Sequence, residues 1–187
     1  MHQDDEDFIH HTLACPKGQF LKGTGVSFSS RHDRVIMDAL VKIPRLYGIP
    51  VSSEPLFYCG YNEDGRQGRP DVEYAVMPRI VVDLSIVSPD AKHPPGYNAH
   101  IKAEEKIKRH DAAVKAGGGV FVPFIMETNG YLHHAGTEVI KALARHVVPY
   151  QRPFFHADIR RAIAISLVRE VIRGVTAALH KHTDALH

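Results

Sequence analysis

The chain has 187 residues, about one domain with room for a single sizeable core, and its 44% apolar and 24% charged content is that of an ordinary globular protein. No run approaches the ~20 apolar residues of a membrane-spanning helix, so no membrane partner is expected, and a net charge of +2 names no other partner. The polar, acidic start (Asp4, Asp5, Glu6, Asp7) is unlike a secretory signal, and two cysteines, Cys15 and Cys59, are too few for a disulfide framework and suit a reducing compartment.

Residues 1–30 read as an irregular lead-in, with Gly18, Gly23, Gly25 and a serine cluster at 27–30. A helix is expected after Ser30 as N-cap, with Val35, Ile36, Ala39, Leu40 and Ile43 on one apolar face and Pro44 and Gly48 ending it. Residues 56–59 suggest a short strand, and 60–68 a turn-rich loop. Two runs rich in β-branched residues, 72–76 and 80–87, read as strands separated by Met77-Pro78. A proline-rich loop, 89–96, leads to a helix over 101–115, which Gly117–Gly119 stops. Residues 120–126 are continuously apolar, as in a buried strand, although Pro123 requires a bulge or an edge position. Further helices are expected over 136–146 and 156–181, the second with Ile159, Ile163, Leu167, Val171 and Val175 on one stripe. This order predicts an α/β domain over 31–182, a mixed central sheet flanked by helices. From Glu138 to His182, eight Lys or Arg stand against three acids. Such a basic stretch can meet phosphates or simply be a solvated helix face.

Asp71 and Asp83 are the informative pair. If 72–76 and 80–87 form an antiparallel hairpin with a three-residue loop at 76–78, Ala75 lies opposite Arg79 and Asp71 opposite Asp83. Directly opposed side chains have Cβ atoms about 4.5–5.5 Å apart. Two carboxylates there repel each other, and a hard divalent cation is their natural occupant. A loop one residue longer or shorter would put them on opposite faces, leaving two surface acids. Repulsion without a cation also predicts that removing either acid relieves strain. A nearby lysine would orient a nucleophilic water and stabilise a pentavalent phosphate. Ser85 stands two residues after the second acid, so the candidates are Lys102, Lys106 and Lys108 on the following helix, and spacing does not choose among them.

Three segments carry a resemblance: Arg69-Pro70-Asp71, then Ile80-Val81-Val82-Asp83-Leu84-Ser85-Ile86-Val87, then Ala103-Glu104-Glu105-Lys106-Ile107-Lys108-Arg109-His110. Together they resemble the restriction-like endonuclease domain of non-LTR retrotransposons, with its R/K-P-D motif, an aspartate within a strand, and a helix carrying the lysine in a K-x-x-K-Y-like pattern. Arg31-His32-Asp33, Glu54-Pro55, Phe121-Val122-Pro123-Phe124, Glu127-Thr128-Asn129-Gly130 and the tail Arg161–Leu167 extend the likeness, which runs from about residue 8 to 174. The resemblance implies a PD-(D/E)XK fold and a DNA-nicking nuclease using Mg²⁺ or Mn²⁺. It gives Asp71 and Asp83 as metal ligands and Lys106 as the catalytic lysine. It also implies a reverse transcriptase and element RNA as partners and, for a eukaryotic element, the nucleus as location.

Glu54 is a candidate third acid or a surface turn residue, and Glu127, at the end of the buried strand, reads as a loop residue. Arg69 is a candidate phosphate clamp or a partner of an acid such as Glu73, and Arg109, Arg160 and Arg161 are candidate DNA contacts. His110 reads as a proton donor or, in the place of the pattern's tyrosine, as a packing residue. His10, His11 and Cys15 look like the last half of a zinc knuckle. No cysteine precedes Cys15, and half a site rarely holds structural zinc, so none is expected.

Overall fold

The structure is a computed structural model that describes residues 28–55, 60–61 and 67–184. It opens with a helix, α1 (Phe28–Val35), which passes through a π-helical turn (Ile36–Val41) into α2 (Lys42–Leu46). Ser30 lies inside α1 and is not its N-cap. Nor does Pro44 end the helical run. Its missing N–H cannot serve the Leu40 carbonyl four residues back, and the π-turn widens the backbone just before the proline, a usual remedy for such a fault. The Tyr74 hydroxyl instead donates to the Leu40 carbonyl at 2.8 Å. Gly48, at φ +78°, makes the turn out.

Strands β1 (Val51–Ser53), β4 (Val72–Tyr74), β5 (Arg79–Val87) and β6 (Gly119–Glu127) form a sheet in the order β1-β4-β5-β6. A separate two-residue hairpin joins β2 (Gly60–Tyr61) and β3 (Gln67–Gly68). The pairs β1–β4 and β4–β5 are antiparallel, and β5–β6 is parallel. The expected mixed sheet is therefore present, and the predicted hairpin register is observed: Val72 pairs with Val82, Glu73 with Val81 and Tyr74 with Ile80. Pro123 sits on β6 at the sheet edge, where a missing donor is tolerated. The strand suggested over 56–59 lies outside the described residues, and β1 has no counterpart in the sequence reading.

Helix α3 (Tyr97–Ala116) crosses from β5 to β6. Helix α4 (His134–Ala144), a 3₁₀ turn (Pro149–Gln151) and α5 (Arg152–Asp184) follow. Helices flank the sheet on both faces. Ile80, Val82, Leu84 and Ile86 of β5 enter the main core with Leu40, Leu143, Phe155 and Ile159, each such buried side chain contributing about 1.5–3 kcal/mol. On the opposite face, α3 covers two small apolar clusters. One joins Val81, Val114 and Phe121; the other joins Ala99, Ala103 and Ile125. No helix among the described residues is long and apolar enough to cross a membrane.

The start of α3 is tied to the end of β6. Glu127, only 1% exposed, accepts from the Gly96 N–H at 2.9 Å and from Asn129 Nδ2 at 3.2 Å. It is a structural clamp rather than a loop residue. Gly96 has φ +91°, and a Cβ there would lie 2.5 Å from the Tyr131 ring. Gly96→Ala is therefore expected to cost about 2 kcal/mol in urea unfolding, from left-handed strain plus displacement of Tyr131. Gly130→Ala carries only the conformational part, roughly 1 kcal/mol, since its φ is +94° with open space around it.

Candidate active site

The strand register builds the site. One residue beyond the β1–β4 and β4–β5 pairs, Glu54, Asp71 and Asp83 follow one another across three strands. Backbone bonds hold this row, Glu54 N–H to the Asp71 carbonyl at 2.7 Å and Asp71 N–H to the Val82 carbonyl at 3.0 Å. The next strand over continues the row with Pro123, opposite Asp83.

Asp83 points from β5 toward α3, between the two small apolar clusters. It is 5% exposed, and the side chains meeting it are also buried: Lys106 at 7% and His110 at 1%. Lys106 Nζ lies 2.6 Å and His110 Nε2 3.0 Å from the same oxygen, Asp83 Oδ2. The helix explains the choice of lysine. Its buried stripe is Ala99, Ala103, Lys106, His110 and Val114, spaced by three and four residues as one helix face requires. Lys102 pairs instead with Glu105, and Lys108 is exposed.

Asp71 has partners of its own. Its Oδ2 accepts from the Leu84 N–H at 2.6 Å and lies 3.3 Å from His32 Nε2. His32, on α1, also lies 3.1 Å from the Leu84 carbonyl and 3.3 Å from Asp33 Oδ1. Burial and the Asp83 charge push the Asp71 carboxyl above its ordinary value, against the pull of His32. Burial also acts to raise the Asp83 carboxyl, but the donors His110 and Lys106, with a hydrogen bond shared with Asp71, hold it below the usual carboxylate range. Burial acts to lower His32, yet Asp71, Asp33 and the Leu84 carbonyl raise it to about 9. The charge of each acid therefore bears on the other.

Among the described residues no three of His, Cys, Asp and Glu form a ready-made metal cluster. Two carboxylates, with water and phosphate completing the shell, are nevertheless the usual protein share of a Mg²⁺ site, so the donor set fits that ion. A cleft of about 310 Å³ opens at Asp71, lined also by His32, Asp33, Ile36, Ser53 and Glu54. A larger groove of about 440 Å³ at Met77, Pro78 and Val120 has neither acid in its walls and so lies apart from this chemistry.

The remaining candidates do not join the pair. Glu54 is exposed, and its carboxylate meets Arg69 at 3.8 Å. Arg69 thus pairs with Glu54 rather than Glu73. Arg109 is exposed on α3, and Arg160 and Arg161 are exposed on α5, Arg161 at 3.2 Å from Asp158. Cys15 and its neighbouring histidines lie outside the described residues. His32 and the bond from His110 to Asp83 are the parts of the site that sequence reading missed. His110 was discoverable from its place on the Lys106 stripe, whereas His32 stands in the resembling segment Arg31-His32-Asp33, but nothing local gives its contact with a carbonyl 52 residues away. No protein-family model matches the chain, and no curated protein matches it.

Proposed function

We propose that this chain is a metal-dependent DNA endonuclease of the PD-(D/E)XK type, similar to the nicking domain of non-LTR retrotransposons. The observation that supports it most is the buried Lys106–Asp83 contact at 2.6 Å beside a second, coupled acid. In this reading Asp71 and Asp83 would hold Mg²⁺ or Mn²⁺. A bound ion supplies Lewis acidity, making a water nucleophilic at neutral pH and stabilising charge on the phosphate. Lys106 balances the charge of Asp83 and presents an ammonium to the attacking water or a phosphate oxygen. His32 orients Asp71. The low exposure of Lys106 and Asp83 keeps bulk water from weakening these interactions. A reverse transcriptase with its RNA, and a nuclear location, belong to the same reading.

Nicking of supercoiled plasmid with Mg²⁺ or Mn²⁺, abolished by chelator, is the direct test. A metal-independent or absent activity would remove the proposal. One observation favours a second reading, a non-cleaving nucleic-acid-binding domain. The two acids already have three basic partners, His32, Lys106 and His110, so the network can persist as a buried structural one. A protein that binds DNA but neither nicks it nor takes up Mn²⁺ would support that reading.

Both readings need a DNA-binding surface. Arg160→Ala is expected to weaken duplex binding and reduce the slope of log affinity against log salt by about 0.9, the value of one phosphate contact. Arg161→Ala is expected to do less, because Asp158 competes for that guanidinium. An unchanged slope for the double variant would exclude these two residues from the interface.

A further inference from the structure

We infer that His110 is a positioning residue that sets the rotation of the Asp83 carboxylate for metal binding. The inference rests on the nuclease reading of the site and extends it to a residue outside the acid–lysine set. The His110 ring is 1% exposed and lies against Phe121, with ring centroids 5.2 Å apart. A phenylalanine would serve that packing equally. Histidine is the costlier choice there, because its Nδ1 is buried without a hydrogen-bond partner, and such an atom loses its solvation with nothing in return. What the imidazole gains is at the other nitrogen, where Nε2 lies 3.0 Å from Asp83 Oδ2.

Lys106 approaches that same oxygen at 2.6 Å. An ammonium alone is a point charge on a flexible stem and fixes a carboxylate's rotation poorly. The rigid ring, one helical turn further along α3, supplies a second fixed direction. Two donors on that one oxygen fix the plane of the Asp83 carboxylate, on which its alignment beside Asp71 for a bound cation would depend. His110 touches neither DNA nor ion in this arrangement and acts only through Asp83. Partners of metal ligands of this kind typically change affinity about 10–100-fold when lost.

The test compares His110→Phe, which keeps the ring, with His110→Gln, whose amide nitrogen can take the place of Nε2. Each is assayed for melting temperature, duplex affinity, direct Mn²⁺ binding by electron paramagnetic resonance, and the Mn²⁺ dependence of nicking. The expected result is a His110→Phe protein that folds and binds DNA normally but binds Mn²⁺ about 10–100-fold more weakly. His110→Gln should recover most of that loss. A His110→Phe protein with wild-type Mn²⁺ affinity overturns the inference while leaving the nuclease reading intact. So does equal loss of melting temperature and metal binding in both variants, which marks a purely structural role. A wild-type protein that neither binds Mn²⁺ nor nicks DNA overturns both.

Discussion

Asp71→Asn and Asp83→Asn are each expected to reduce metal-dependent nicking of supercoiled plasmid by at least ~1000-fold, since a Lewis-acid ion supplies several kcal/mol of transition-state stabilisation. Duplex affinity measured in chelator should stay within about 2-fold, because phosphate contacts dominate it. The double variant should be little worse than either single, as residues acting as one unit are not additive. An Asp83→Asn protein that nicks normally would end the nuclease assignment. The stabilities of the two variants should differ. Asp71→Asn relieves repulsion from Asp83, keeps an acceptor for the Leu84 N–H and loses the charge facing His32. These opposing effects leave it within about 1 kcal/mol of wild type. Asp83→Asn strips Lys106 of its buried counter-charge and should unfold at clearly lower urea. The expectation that removing either acid relieves strain therefore fails for Asp83: the structure surrounds it with donors rather than with acids alone.

The second large effect falls on Lys106. Lys106→Met keeps the length and apolar stem of the side chain but removes its charge. Asp83 is then left buried with only His110 and the repelling Asp71, and breaking a buried pair on one side costs about 3–5 kcal/mol. The loss should appear as a lower urea midpoint, and nicking should be lost even at temperatures where circular dichroism shows the variant folded. Combining Lys106→Met with Asp83→Leu should recover much of the stability and none of the activity, because an apolar replacement of a whole buried pair is often neutral or better. Lys102→Met and Lys108→Met serve as controls. They are exposed or paired only along the helix surface, where substitutions stay within about 0.5 kcal/mol. If Lys102→Met abolishes nicking while Lys106→Met does not, the lysine assignment is wrong even if the acids are right.

Much of this arrangement is readable before any coordinates exist. Side-chain parity in a strand is strict, so counting residues across the Val76–Pro78 turn is enough to set Asp71 opposite Asp83. Pro123 announces an edge position because a missing donor is tolerated at few others. Spacing leaves Lys106 open among three lysines, and the helix, which begins at Tyr97, resolves it by placing Lys106 on the inward face with Ala99, Ala103, His110 and Val114. The rest depends on distance along the chain. His32 reaches Asp71 from another helix, and no local pattern encodes that approach. Pro44 reads as a helix terminator, but Tyr74, thirty-four residues from Leu40, supplies the donor at that carbonyl. Glu127 reads as a loop residue because its two partners lie on either side of a turn and at the start of another helix.

The Glu127 clamp on Gly96 governs how the chain can vary in length. It fixes where α3 begins, so the axial position of Lys106 and His110 opposite Asp83 is counted in residues from that point. Each residue added within an α-helix rotates the downstream side chains by about 100° and advances them about 1.5 Å. One insertion between Gly96 and Lys106 would carry the ammonium off the sheet-facing side altogether. The same insertion between Val87 and Gly96 only lengthens a surface connection, which costs little. Variation in length is therefore cheap before the clamp and ruinous just after it, although the two stretches adjoin.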